Sequence, residues 1–103
     1  TIANNVADNY ILMIIDNGSY GSTGDQPPYT GKKTSLAGMA RAAGCENVVE
    51  VQDVDTGAAL EAAIASKKMT IMIVKCDSGN AKMPVITMGP VVIKDRFMKA
   101  VSA

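Results

Sequence analysis

The chain predicts an α/β fold, a three-layer sandwich in which a parallel sheet is flanked by helices. Two apolar runs, residues 10–15 and Thr70–Lys75, lack the alternation of a half-exposed strand and therefore fit strands covered on both faces. Strand-like and helix-like segments alternate along the sequence, the order that right-handed crossovers build into a parallel sheet. Glycine and proline mark the breaks between them.

The first seven residues place Ile2, Ala3, Val6 and Ala7 at helical spacing, with no capping residue and no initiator methionine ahead of them. A helix entered part-way through is expected there, and with it a domain incomplete at its N-terminus. Asp8 and Asn9 break the pattern before the first strand, 10–15. Residues 18–30 carry Gly18, Gly21, Gly24, Pro27 and Pro28 and are expected to form a long loop, the kind that is either a functional lid or disordered.

Thr34 or Ser35 can cap a helix over 36–43, with Leu36, Met39, Ala40 and Ala43 as its inner stripe and Gly44 as its stop. Val48, Val49 and Val51 mark a second strand, 48–51. Oxygens from Asp53 to Thr56 are placed to cap the next helix, which runs to Ser66 and turns Leu60, Ala63 and Ile64 inward. The third strand, Thr70–Lys75, leads into a loop over 76–87. Pro90 suits the first position of a last helix, 91–101, expected to bury Ile93, Phe97 and Val101.

Parallel strands would align Asp16-Asn17, Gln52-Asp53 and Cys76-Asp77 along one edge of the sheet. Ligands of such sheets sit beyond that carboxyl edge.

With 103 residues the chain forms one domain, 1–103, large enough to bury roughly two-thirds of its unfolded surface. Ten basic and ten acidic residues cancel without runs of either sign, which leaves nucleic acid without an electrostatic footprint. No stretch approaches the roughly 20 apolar residues of a membrane span, and no signal-peptide order is present. Cys45 and Cys76 lie outside any CxxC, and the absence of histidine removes the usual zinc sets. Two reduced thiols fit a cytoplasmic protein.

The residues with most chemical content are Asn17, Gly18, Ser19, Tyr20 and Gly21, directly after the first strand. Asn17 offers a neutral amide oxygen, and a tight turn at Gly18 would aim the Ser19 carbonyl the same way. Magnesium accepts one or two such protein oxygens and completes its six with phosphate and water. An ordinary strand-to-loop turn is the competing reading, although a primed hairpin at Asn17-Gly18 has no second strand to pair with. A phosphate loop ending at Gly31-Lys32-Lys33-Thr34 fails, because Gln26 replaces its first glycine and Lys33 its hydroxyl residue. Asp25, Lys32, Lys33 and Lys82 are available to a charged substrate or simply to solvent, and the seven methionines suit flexible core filling. No histidine base and no GxSxG elbow is present, so an acid-base or hydrolytic mechanism has no obvious seat here.

The segment from Asp16 to Gly24 resembles the closing end of the thiamine diphosphate motif, which opens with Gly-Asp-Gly and ends at an Asn following a strand. The usual closing pair is Asn-Asn; Asp16 in its first place is similar to the sulfopyruvate and phosphonopyruvate decarboxylase branch of that family. Further likeness to this branch runs through Gln26-Pro27, Leu36-Ala37-Gly38-Met39-Ala40-Arg41-Ala42-Ala43-Gly44, Glu46-Asn47-Val48-Val49, Gly79-Asn80-Ala81-Lys82-Met83-Pro84-Val85-Ile86 and Ile93-Lys94-Asp95-Arg96-Phe97-Met98.

The resemblance implies the thiamine diphosphate-binding fold, with magnesium held by the Asn17 side chain and the Ser19 carbonyl and the diphosphate near Asn17, Gly18, Ser19, Tyr20 and Gly21. It implies decarboxylation of a small anionic 3-substituted pyruvate, sulfopyruvate to sulfoacetaldehyde in coenzyme M biosynthesis, with phosphonopyruvate as the near rival. The activating glutamate is expected on a pyrimidine-binding domain or alpha subunit, hence a hetero- or homo-oligomer. Tyr20 and the loop after it would cover the cofactor. Gly-Asp-Gly is absent from these residues and would fall shortly before Thr1, so this stretch alone is expected to bind magnesium diphosphate weakly and to be inactive. A non-catalytic doubly wound module, binding a phosphate or a protein through the same strand ends, is the alternative from a different class.

Overall fold

The computed structural model describes residues 1–79, 82–84 and 86–102. Asn80, Ala81 and Val85, which belong to the 79–86 segment of the family likeness, lie outside the described residues, as does Ala103. Three strands, β1 (Ile11–Asp16), β2 (Val48–Gln52) and β3 (Thr70–Lys75), form a parallel sheet in the order β1-β3-β2. Helices α1 (Leu36–Ala42), α2 (Thr56–Ser66) and α3 (Pro90–Val101) follow the strands in turn. The chain winds from β1 past β3 to β2 and then back to β3. That reversal sends α1 and α2 to opposite faces, which makes the three-layer α/β sandwich expected from the sequence.

Central β3 divides the core by parity. Ile71 and Ile73 face α1 together with Ala37, Cys45 and Met69, whereas Met72 and Val74 face α2 with Ala63. Met72, Ile73 and Thr70 are completely enclosed. The lone polar member of that trio is satisfied: the Thr70 hydroxyl donates to the Lys68 carbonyl and accepts from the Asn47 side chain at 2.7 Å.

The same order corrects the reading of β1. Its apolar run also suggested burial on both faces, but β1 is an edge strand paired only with β3 among the described residues. Ile15 is 58% exposed. An unbroken apolar run cannot separate a central strand from an edge strand, because it reports side-chain type and not lateral neighbours.

The first residues form a single 3-10 turn, Ile2–Asn4, instead of the expected helix. The Asn5 side-chain amide donates to the Thr1 carbonyl at 2.8 Å and so occupies the acceptor that an α-helical Asn5 N–H would use.

Ser35 caps α1, its hydroxyl accepting from the Gly38 N–H at 2.9 Å. At the other end Gly44 takes φ +98°, its N–H bonds the Arg41 carbonyl, and the Cys45 N–H reaches back to Ala40. This is a Schellman stop, and it delivers Cys45 into the core. The inner face of α1 is Leu36, Ala37 and Ala40; Met39, 60% exposed, and Ala43 point away. The small alanines let the helix lie close to the sheet, and the broader stripe proposed from periodicity overshoots them.

Helix α2 likewise turns Ala59, Leu60 and Ala63 inward while Ile64 remains exposed. A 3-10 turn, Asp53–Asp55, precedes it, and no side-chain cap bond forms at Asp55; the Asp53 carboxylate instead accepts from Val54. Helix α3 starts at Pro90 as expected but has no buried residue, and Ile93, Phe97 and Val101 are all exposed. Periodicity identified an amphipathic face there and could not supply a surface to cover it.

Candidate functional site

Parallel registry places Asp16, Lys75 and Gln52 side by side at the carboxyl ends of the three strands. The expected alignment of Asp16-Asn17, Gln52-Asp53 and Cys76-Asp77 along one edge is therefore present. Beyond β3 the Cys76 N–H still bonds the Asp16 carbonyl at 3.2 Å, which extends the β1–β3 ladder to the base of the loop.

Asp16 is buried, 9% exposed, and its carboxylate gathers three donors. Oδ2 takes the Lys75 ammonium at 2.5 Å, while Oδ1 accepts from the Thr30 hydroxyl at 2.9 Å and the Gly18 N–H at 3.2 Å. The hydrogen bond from Lys75 holds its pKa below the ordinary carboxylate value, with help from Thr30, Gly18 and the Lys75 charge. Burial opposes this and loses.

Asn17, half-buried, then makes an Asx turn in which its Oδ1 accepts from the Ser19 N–H at 3.2 Å. Gly18 between them sits at φ +63°, in open space, so the left-handed backbone and not crowding calls for glycine. Ser19 is tied forward, its hydroxyl donating to Asp25 at 2.7 Å. Tyr20 and Gln26 form an isolated antiparallel bridge, and the Thr23 hydroxyl bonds the Gln26 side chain. The expected long loop thus has internal order, including a 3-10 turn over Tyr29–Gly31. Tyr20 is exposed and Gly21 half-buried; Lys32, Lys33 and Lys82 are exposed.

The residues singled out from the sequence, Asn17, Gly18, Ser19, Tyr20 and Gly21, form one continuous turn at the end of β1. Sequence reasoning missed what anchors it, namely Lys75 and Thr30. A signal existed: two apolar six-residue strands end in opposite charges, and in parallel register those charges must meet.

The donors present suit magnesium. Asn17 Oδ1 spends one acceptor position on Ser19 and keeps another. Backbone bonds in the loop go to the carbonyls of Tyr20, Gln26 and Tyr29 and, among the described residues, none to that of Ser19. Both are hard, neutral oxygens, the type magnesium takes when a diphosphate supplies the charge. No group of three or more Cys, Asp or Glu side chains is arranged to hold a metal among the described residues. A separate cleft of about 610 Å3 lies at the opposite, amino-terminal end of the sheet, between Asp8, Glu46, Asn47 and Lys68, away from this turn. No described helix is long and apolar enough to cross a membrane.

Fold and site together define a doubly wound α/β protein with its polar turn at the carboxyl edge of a parallel sheet. Comparison with known proteins narrows this class. The chain is 39% identical over 93 residues to "Sulfopyruvate decarboxylase subunit beta" of Methanocaldococcus jannaschii, covering 90% of this chain and 50% of that protein. It is 29% identical over 101 residues to the protein of the same name from Methanococcus maripaludis, covering 98% and 54%. Both alignments bear out the likeness that the motifs suggested. The chain spans about half the length of these curated relatives. No family model and no solved structure matches it.

Proposed function

We propose that the chain forms part of the magnesium and thiamine diphosphate site of a decarboxylase acting on a 3-substituted pyruvate, sulfopyruvate being the favoured substrate. The observation that carries this reading is the Asx turn at the end of β1. It fixes the Asn17 amide oxygen on the N–H of Ser19, the residue whose carbonyl is the second proposed ligand, in a chain 39% identical to a sulfopyruvate decarboxylase beta subunit.

In this reading Asn17 and Ser19 hold the cation against the diphosphate, while Gly18 and Gly21 let the backbone approach it. When bound, the cofactor supplies the electron sink for loss of carbon dioxide from a 2-oxo acid. Tyr20 and the loop through Lys33 cover the site and keep water out. The activating glutamate comes from a pyrimidine-binding domain or an alpha subunit in a cytoplasmic oligomer, and the metal's carboxylate ligand from the Gly-Asp-Gly that opens the family motif, which these residues do not include. The product would be sulfoacetaldehyde, as in coenzyme M biosynthesis.

Carbon dioxide release from sulfopyruvate and phosphonopyruvate, assayed side by side with the intact protein and its partner subunit, tests the proposal. Release should require magnesium and thiamine diphosphate, favour sulfopyruvate, and fall at least tenfold in Asn17→Ala. Cofactor-independent release, or an Asn17→Ala variant with unaltered magnesium dependence, would refute it, and no release from either acid would favour a non-catalytic module. Preference for the phosphono acid would move the substrate assignment alone.

A further inference from the structure

We propose that Asp16 is a positioning residue, whose carboxylate fastens both ends of loop 18–30 to β3 and thereby sets the turn presenting the Asn17 amide and the Ser19 carbonyl. This rests on the magnesium reading of that turn. The geometry is specific. One oxygen, Oδ1, receives the Gly18 N–H at the start of the loop and the Thr30 hydroxyl at its end, twelve residues further on. The other, Oδ2, receives Lys75 from the neighbouring strand, where Cys76 also bonds the Asp16 carbonyl.

A loop of glycines and prolines would otherwise have its ends free to separate. Closing it on a single buried carboxylate moves its entry and exit together. Within the closed loop, Ser19 to Asp25 and Tyr20 to Gln26 keep the intervening residues folded on themselves. The turn is therefore held at the Gly18 N–H by Asp16 and at the Ser19 hydroxyl by Asp25. Asparagine in place of Asp16 could accept the same two Oδ1 bonds but would lose the charge that holds Lys75, so the aspartate joins loop to sheet as well as closing the loop.

Hydrogen exchange on the intact protein without cofactor, followed by titration with thiamine diphosphate at fixed magnesium, tests this on Asp16→Ala and on the milder, near-isosteric Thr30→Val. Amides of loop 18–30 should exchange about tenfold faster in Thr30→Val, the factor set by one hydrogen bond to a charged group, with β3 keeping its protection there, and at least that much faster in Asp16→Ala. Cofactor affinity should drop about tenfold with kcat at saturation little changed, a split that general destabilisation would not give. Unchanged loop exchange in Thr30→Val overturns the proposal, as does a loosened loop with unaltered affinity. If the unsubstituted protein binds no thiamine diphosphate, the magnesium reading fails, and loop exchange alone then supports or overturns the fastening.

Discussion

Lys75 and Asp16 stand opposite one another in the β1–β3 register, and their side chains close the carboxyl end of that strand pair as an ion pair, the lysine 28% and the aspartate 7% exposed. The contact joins the sheet to the loop that carries the candidate site.

Removing one partner leaves the other stranded. Lys75→Met should destabilise the protein by about 1–3 kcal/mol, because a buried carboxylate loses its charged donor and keeps only Thr30 and Gly18. Urea denaturation would show this as a lower midpoint with an unchanged slope. A midpoint equal to that of the unsubstituted protein would mean the pair contributes nothing net.

Acid should act on the same group. The folded Asp16 has a lowered pKa, chiefly through the Lys75 hydrogen bond, so on acidification the unfolded chain takes up its proton first. Its contribution is complete above the ordinary aspartate value and is lost as pH falls below about 4 toward the folded value. Thermal midpoints measured from pH 6 to pH 2 should fall less steeply below pH 4 in Lys75→Met than in the unsubstituted protein.

Gly18→Ala should cost about 1 kcal/mol, the penalty for a Cβ in the left-handed region, and no more, since nothing lies within 4 Å of the new atom. A calorimetric loss well above this would show that the turn is tighter than described.

The positions of the strands give a paired prediction. Ile73→Ala empties a fully enclosed site on β3 and should cost about 2–5 kcal/mol. On edge strand β1, Ile15→Ala should cost less than about 1 kcal/mol, because most of that side chain already meets solvent. Equal losses in the two variants would contradict the order β1-β3-β2.

Much of this architecture was legible from residue pattern. Uninterrupted Ile, Met and Val marked β1 and β3, the Ser35 cap and Gly44 stop bounded α1, and parallel winding brought the Asn17 turn to the same edge as Gln52 and Cys76. What stayed hidden depends on which elements become neighbours. Ile15 is exposed because nothing described pairs beyond β1, and Met39 and Ile64 face outward because alanines make the closer contact. Phe97 is uncovered because an apolar face does not name its cover. The role of Asp16 was hidden for a related reason: Lys75 is 59 residues away in sequence, and only the register makes them partners.

The outer margin of β1 has a practical meaning. Its amides and carbonyls on that side, beside Ile15 and Tyr10, have no strand partner among the described residues and offer a template onto which another extended backbone can zip. Concentrated solutions of this stretch by itself should therefore tend toward strand-to-strand clumping, and a lysine in place of Ile15 is the simplest way to keep it dispersed.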